Sequence, residues 1–232
     1  MERKSKFSIV LLVVFAMTIG LSACNKGSNS DFQTFCRFKM EKHGEEYTIK
    51  KYKKDSYKRS ILSIPSKYKG KQVTMIGKNA FSGTISLNQI NIPSSIKEIG
   101  DGAFWDSLLN TVILNSGLKR IGKRAFEKTS IKSLTIPNTV EEIGEYAFSG
   151  TGFLKTVTLQ EGIKRIREGV FSNSDIKTIT IPSSIEEIGE FVFDGCSIEK
   201  INCRVKKSYY NAHKEKFGGL TEFYDSVNWV ND

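Results

Sequence analysis

Histidine is nearly absent from this chain of 232 residues, with only His43 and His213, and neither stands at a spacing that supplies a metal ligand or an acid–base partner. Cysteine is almost as rare. Cys24, Cys36, Cys196 and Cys203 form no paired zinc spacing and are too few to staple a chain of this size. No glycine-rich loop of the phosphate-cradling kind is present. The longest apolar run covers residues 7–21, fifteen positions, short of the roughly 20 that span a bilayer. The many glutamates recur at fixed positions, which explains them as solvating or pairing groups without a catalytic pair. The chain therefore reads as a non-enzyme with no cofactor and no metal. Proline is the most telling shortage. There are four, Pro65, Pro93, Pro137 and Pro182, and each follows a short apolar segment, where a residue lacking a backbone N–H ends a strand.

What is abundant is repetition. Phe81, Phe104, Phe126, Phe148, Phe171 and Phe193 stand 23, 22, 22, 23 and 22 residues apart. A fixed period near twenty marks one supersecondary unit stacked on copies of itself. Ala80, Ala103, Ala125 and Ala147 precede the Phe, becoming Val170 and Val192. An Ile-Gly pair lies further upstream in five copies, with Ile166-Arg167 as the exception. Alternating segments such as Leu134-Thr135-Ile136 and Val157-Thr158-Leu159 read as half-buried strands of about three to five residues. Stacked in parallel at roughly 4.8 Å per coil, they place Ile90, Val112, Leu134, Val157 and Ile179 in one inward row and Ile92, Leu114, Ile136, Leu159 and Ile181 in another. The Phe column becomes an internal spine. The glycine after each Ile suits a turn at positive φ, so Arg167 is either strained or a sign that the turn is not left-handed.

The stretches Leu134-Thr135-Ile136-Pro137-Asn138-Thr139-Val140-Glu141-Glu142-Ile143-Gly144 and Ile179-Thr180-Ile181-Pro182-Ser183-Ser184-Ile185-Glu186-Glu187-Ile188-Gly189 resemble the BspA-type leucine-rich repeat of bacterial surface proteins. The resemblance runs over residues 35–203. It implies a leucine-rich-repeat solenoid of right-handed coils, 22–23 residues each, forming a parallel sheet, and a role in adhesion or in recognising proteins of other cells or of the matrix. Fold and activity are separable, so the ligand does not follow from the fold.

The first residues predict location. Arg3, Lys4 and Lys6 precede the apolar run, and Leu21-Ser22-Ala23-Cys24 is similar to a bacterial lipobox, so residues 1–23 read as a lipoprotein signal peptide and Cys24 as the lipidation site. Residues 24–30 are a small, polar tether, 31–60 an N-terminal β-hairpin cap, 61–203 the repeats and 204–232 a cap with a short helix from Ser208 to Phe217, Ser208 serving as N-cap. The formal charge is +10. Residues 25–80 hold 14 basic and 5 acidic groups, against 13 and 15 in 81–200. Lys50, Lys51, Lys53 and Lys54, with Lys58 and Arg59, form a membrane-proximal basic group suited to anionic head groups or simply to solvent. No nucleic-acid recognition motif accompanies them.

Within the repeats, Lys119-Arg120, Glu141-Glu142, Lys164-Arg165 and Glu186-Glu187 alternate in sign, which predicts a ladder of ion pairs between coils that fixes register. On the outward side of the strands Thr135, Thr158 and Thr180 align, as do Lys132, Lys155 and Lys177, forming a candidate docking face for an acidic partner. Trp105, Leu108 and Phe153 are apolar residues in otherwise polar columns and are candidate anchors. Cys203 reads as a buried thiol, with a Cys196–Cys203 bridge as the alternative. The reading is an exported, monomeric, lipid-anchored protein-recognition module at the cell surface or the periplasmic face of the envelope. A structural lipoprotein without a host ligand is the alternative, and a glycan-binding protein or hydrolase the third.

Overall fold

The computed structural model describes residues 38–53 and 60–230. The chain divides into two units, residues 1–38 and 39–232, and apart from Phe38 the architecture below belongs to the second. The signal peptide, Cys24, the tether, Cys36, Lys54, Lys58 and Arg59 lie outside the described residues.

Alternating apolar residues and strand-ending turns repeat along the chain, and the result is a parallel β-solenoid of about eight turns with little helix. Each repeat supplies one strand to each of two faces. The longer strands are β3 (Ser60–Ser63), β6 (Leu87–Ile92), β8 (Thr111–Leu114), β10 (Ser133–Ile136), β12 (Thr156–Leu159), β14 (Thr178–Ile181), β16 (Lys200–Lys206) and β17 (Val227–Val230). They form two parallel ladders, β3-β6-β8 and β10-β12-β14-β16-β17. Between the ladders a bond from the Lys132 N–H to the Asn110 carbonyl carries the stacking on.

The second face is built from two-residue strands: β7 (Glu98–Ile99), β9 (Arg120–Ile121), β11 (Glu142–Ile143), β13 (Arg165–Ile166) and β15 (Glu187–Ile188). These pair in parallel, coil upon coil, and continue through β5 (Lys71–Ile76) to the hairpin of β1 (Phe38–His43) and β2 (Glu46–Tyr52). The short β4 (Lys67–Tyr68) folds back antiparallel on β5. At the far end α1 (Lys207–Ala212) and α2 (Gly218–Thr221) follow β16. The helix starts one residue before the expected Ser208, with Lys206 at the N-cap position and no side-chain cap bond, and it ends at Ala212, short of Phe217.

The inward rows fall in register as the repeat predicts, with Ile90 beside Val112, Leu134 beside Val157 and Val157 beside Ile179. All six repeat phenylalanines are buried and stack face over face. Their centroid separations run 4.8, 4.9, 5.1, 5.9 and 6.1 Å, with interplanar angles of 18° or less. Tyr52 of β2 adds a ring before Phe81 at 5.2 Å, and Phe223 meets Phe193 edge-on at 5.9 Å. The spine is thus continued by aromatics outside the periodic motif.

The expectation about glycine is corrected. Gly77, Gly100, Gly122, Gly144 and Gly189 are not among the positive-φ residues; they are small because the preceding coil passes too close for a Cβ. A Cβ on Gly100 would lie 2.9 Å from the Gly77 carbonyl carbon, and one on Gly189 2.6 Å from the Glu168 nitrogen. Arg167 occupies this position without a left-handed backbone, which settles its two alternatives in favour of an ordinary turn. That coil also brings the first Val in place of Ala, Val170, and there the ring spacing widens from 5.1 to 5.9 Å. Positive φ falls instead two residues before each Phe, at Asn79, Gly102, Arg124, Tyr146, Gly169 and Phe191, and two residues after it, at Gly83, Asp106, Lys128, Gly150, Asn173 and Gly195.

Candidate recognition face

The two faces differ in how their charges are satisfied. On the short-strand face Glu98, Arg120, Glu142, Arg165 and Glu187 stand side by side in register, an alternating column one coil longer than the sequence reading proposed. Arg120 reaches Glu98 at 2.8 Å and Arg165 reaches Glu187 at 3.7 Å. In the adjoining column Lys119 meets Glu141 at 3.1 Å and Lys164 meets Glu186 at 2.9 Å. Lys97 precedes Lys119 there, so that column begins with two like charges. Lys123 pairs with Glu145. Arg167, standing where other repeats have glycine, bridges Glu142 and Glu187 at 3.2 Å each. The Lys164 ammonium holds the Glu186 carboxyl below the usual carboxylate range, and Lys123 does the same for Glu145. These side chains are solvent-screened, so each pair contributes little to stability by itself. Lys97 apart, whose ammonium reaches the Ser94 carbonyl at 3.4 Å, these columns are neutralised by their own neighbours.

The long-strand face presents hydroxyls and lysines. Thr135 stands beside Thr158, and Thr158 beside Thr180, with Asn202 and Asn228 continuing the column. Ser133, Thr156, Thr178 and Lys200 form the second outward column. At the leading ends of the strands Lys155 donates its N–H to the carbonyl of Lys132, and Glu199 to that of Lys177, so the lysine stripe is a true column closed by an acid. Lys177 lies 3.9 Å from Glu199, whereas Lys132 and Lys155 meet no carboxylate among the described residues. Phe153, two residues before Lys155, is 60% exposed. Beyond the threonines a groove of about 360 Å³ is lined by Val157, Thr158, Leu159, Gln160, Glu161, Thr180 and Arg204. Glu161 is committed to structure there. Burial raises its pKa, but bonds from the Ser183 and Ser184 N–H groups and the Ser183 hydroxyl, with Arg204 at 3.5 Å, outweigh that and lower it.

Trp105 sits apart from this strip. It borders a cleft of about 320 Å³ with Lys78, Asn79, Asp101, Gly102, Lys123 and Arg124, and the Lys128 ammonium lies 5.9 Å from its ring centre. Leu108 is also exposed. Lys50, Lys51 and Lys53 are exposed on or just after β2, and Lys50 is tied to Glu41 at 2.9 Å.

Sequence reasoning missed a buried hydroxyl column three residues after each Phe. Thr84, Thr129 and Thr151 each donate to the carbonyl of their own Phe, at 2.5, 2.9 and 2.7 Å. The signal was present, since Ser107 and Ser174 fill the same position and Cys196 is the sixth member. The Cys196 thiol departs from that bond, contacting the carbonyl of Phe171, one coil back, at 3.1 Å and Ser174 at 3.2 Å. Cys196 and Cys203 are both free thiols, and burial pushes Cys203 up to about 11. Among the described residues no group of three or more His, Cys, Asp or Glu is placed to hold a metal ion, and no helix is long and apolar enough to cross a membrane. His43 lies 3.1 Å from Glu41, and His213 Nδ1 lies 3.0 Å from the Tyr209 carbonyl.

None of the curated proteins matches the chain. Among solved structures it is similar to the pneumococcal vaccine antigen PcpA, at 25% identity and TM-score 0.64 over 72% of this chain and 48% of that one. It also resembles a leucine-rich cell-surface protein of Faecalibacterium prausnitzii, at 24% identity and TM-score 0.52 over 72% and 53%. A third likeness is the T. pallidum leucine-rich repeat protein, at 20% identity and TM-score 0.54 over 89% and 100%. The chain spans about half the length of the first two. The BspA-type leucine-rich repeat profile matches six copies over residues 50–177 and 143–223, the larger part of the chain, and the protein therefore belongs to that family.

Proposed function

We propose that this protein is an exported, lipid-anchored recognition module that binds a protein ligand through its long-strand face. The observation that carries the reading is the contrast between faces. The short-strand face pairs its charges between coils, Lys97 apart, while the long-strand face leaves hydroxyls, Lys132, Lys155 and an aromatic ring uncovered. A side chain already paired within the fold has less to offer a partner than one that pairs only on binding. Membership of a family rich in surface proteins agrees with this, as does a lipobox-like Leu21-Ser22-Ala23-Cys24. Cys24 would carry the acyl chains, each buried methylene contributing about 0.8 kcal/mol of membrane affinity.

The test has two arms. Incorporation of labelled palmitate by the expressing cell, lost in Cys24→Ala, checks the anchor. For recognition, the full chain is probed against matrix proteins and against envelope extracts, and binding is expected to fall when Thr135, Thr158 and Thr180 are changed together to Arg. Binding that survives this change and instead disappears on altering the short-strand face would overturn the assignment of the face.

A further inference from the structure

The strip formed by Phe153, Lys132 and Lys155 has a chemistry that defines its occupant more closely than the face as a whole. Six cations of the short-strand side, Lys119, Arg120, Lys123, Lys164, Arg165 and Arg167, each meet a carboxylate. Lys132 and Lys155 meet none among the described residues, although the carbonyl bond between their backbones places them on adjacent coils. Phe153 stands at the leading end of the Lys155 strand, 60% exposed, and makes no ring stacking with another described residue. The spine rings, Tyr52 and the six repeat phenylalanines, are buried and stacked, and the other exposed rings of the coils, Trp105 and Phe191, lie in the Phe-bearing turns rather than at the leading end of a long strand. An exposed ring two residues from a pair of unpaired cations on adjacent coils offers both an apolar anchor and a charge preference. From there β12 runs outward past Thr156 and Thr158 to the groove that Arg204 borders.

We infer that this strip is the specificity centre of the recognition face and that its ligand is an acidic polypeptide segment carrying an apolar residue, laid extended along β12. This rests on the protein-recognition reading above. The apolar residue packs on Phe153, flanking carboxylates pair with Lys132 and Lys155, and the remainder crosses the threonines toward Arg204. At about 3.3 Å per residue, a segment of six to eight residues covers this path. An anionic polysaccharide would satisfy the lysines but would find Phe153 as its one stacking platform here, since the outward columns of the described long strands hold Thr, Ser, Asn and Lys from β10 onward.

The full chain is used to select from a display library of random 12-residue peptides. Enriched sequences are expected to be net acidic with an apolar residue, to bind roughly tenfold more weakly to Phe153→Ser and to Lys132→Glu/Lys155→Glu, and to weaken in 0.5 M salt. Lys119→Glu/Lys164→Glu, on the other face, should leave them unchanged, and unaltered thermal unfolding of the exposed-site variants excludes misfolding. Neutral or basic winners, no winners, equal binding by the variants, or tighter binding of heparin than of any peptide would each overturn the proposal. If proteins are still captured through the threonine columns while this selection fails, the recognition reading stands and only the acidic segment is wrong.

Discussion

Glycine and phenylalanine set the solenoid's interior at the scale of single residues, one by removing a Cβ and the other by filling the axis. A Cβ at Gly100 meets three backbone atoms of the previous coil at 2.9 Å, and backbone cannot rotate away as a side chain can. Gly100→Ala is expected to destabilise by about 1–3 kcal/mol, measured by denaturant unfolding, whereas Arg167→Ala should cost less because that coil already accommodates a side chain. Loss of a buried ring is larger. Phe126 stacks on both neighbours at 4.9 and 5.1 Å, so Phe126→Ala is expected to cost about 3–5 kcal/mol. An unchanged unfolding midpoint in either variant would refute this account of the core. Cys203 supplies a chemical check. Burial raises its thiol to about 11, so at pH 8 iodoacetamide should leave it unmodified in the folded protein and alkylate it after denaturation, as read by peptide mapping.

Among the elements, the two-residue strands β7, β9, β11, β13 and β15 are too short to be held by their own hydrogen bonds and take their register from inward isoleucines and outward charges. Glu141→Lys with Glu142→Lys puts two new cations between Lys119 and Arg120 on one coil and Lys164 and Arg165 on the next. The melting temperature should fall, and the loss should shrink in 0.5 M salt; a salt-independent loss would refute the ladder. Acid probes the same pairs. Glu145 and Glu186 are held below the unfolded carboxylate value of about 4.3, so their contribution is fully present above it and disappears as pH falls through the lower folded value. Thermal unfolding followed by circular dichroism should therefore be flat from about pH 7 to 5 and decline from about pH 4 downward. The strands, the sign alternation and the inward rows were legible in the sequence because each is a property of residues one period apart. The bridge that Arg167 makes between Glu142 and Glu187 was not, since it joins residues 25 and 20 positions away through a side chain that departs from the motif.

For the whole molecule, what matters is that one stacking scheme yields two surfaces of unlike character. If the long-strand face binds protein, variants there should change affinity without changing stability, and variants of the ladder face should do the reverse. A panel that measured both for Thr158→Arg and for Glu186→Lys would show the separation directly. Binding lost in Glu186→Lys with unfolding unchanged would reverse the assignment.

The amino-acid order by itself determined the period, the strand ends at proline, the buried rows and the aromatic spine, because a 22- or 23-residue repeat forces equivalent side chains into the same environment in every coil. Only the tertiary structure decided why glycine follows isoleucine, where positive φ falls, and which cations remain unpaired. Those depend on how closely one coil approaches the next and on which carboxylate lies within reach across the gap, distances that periodicity alone does not contain.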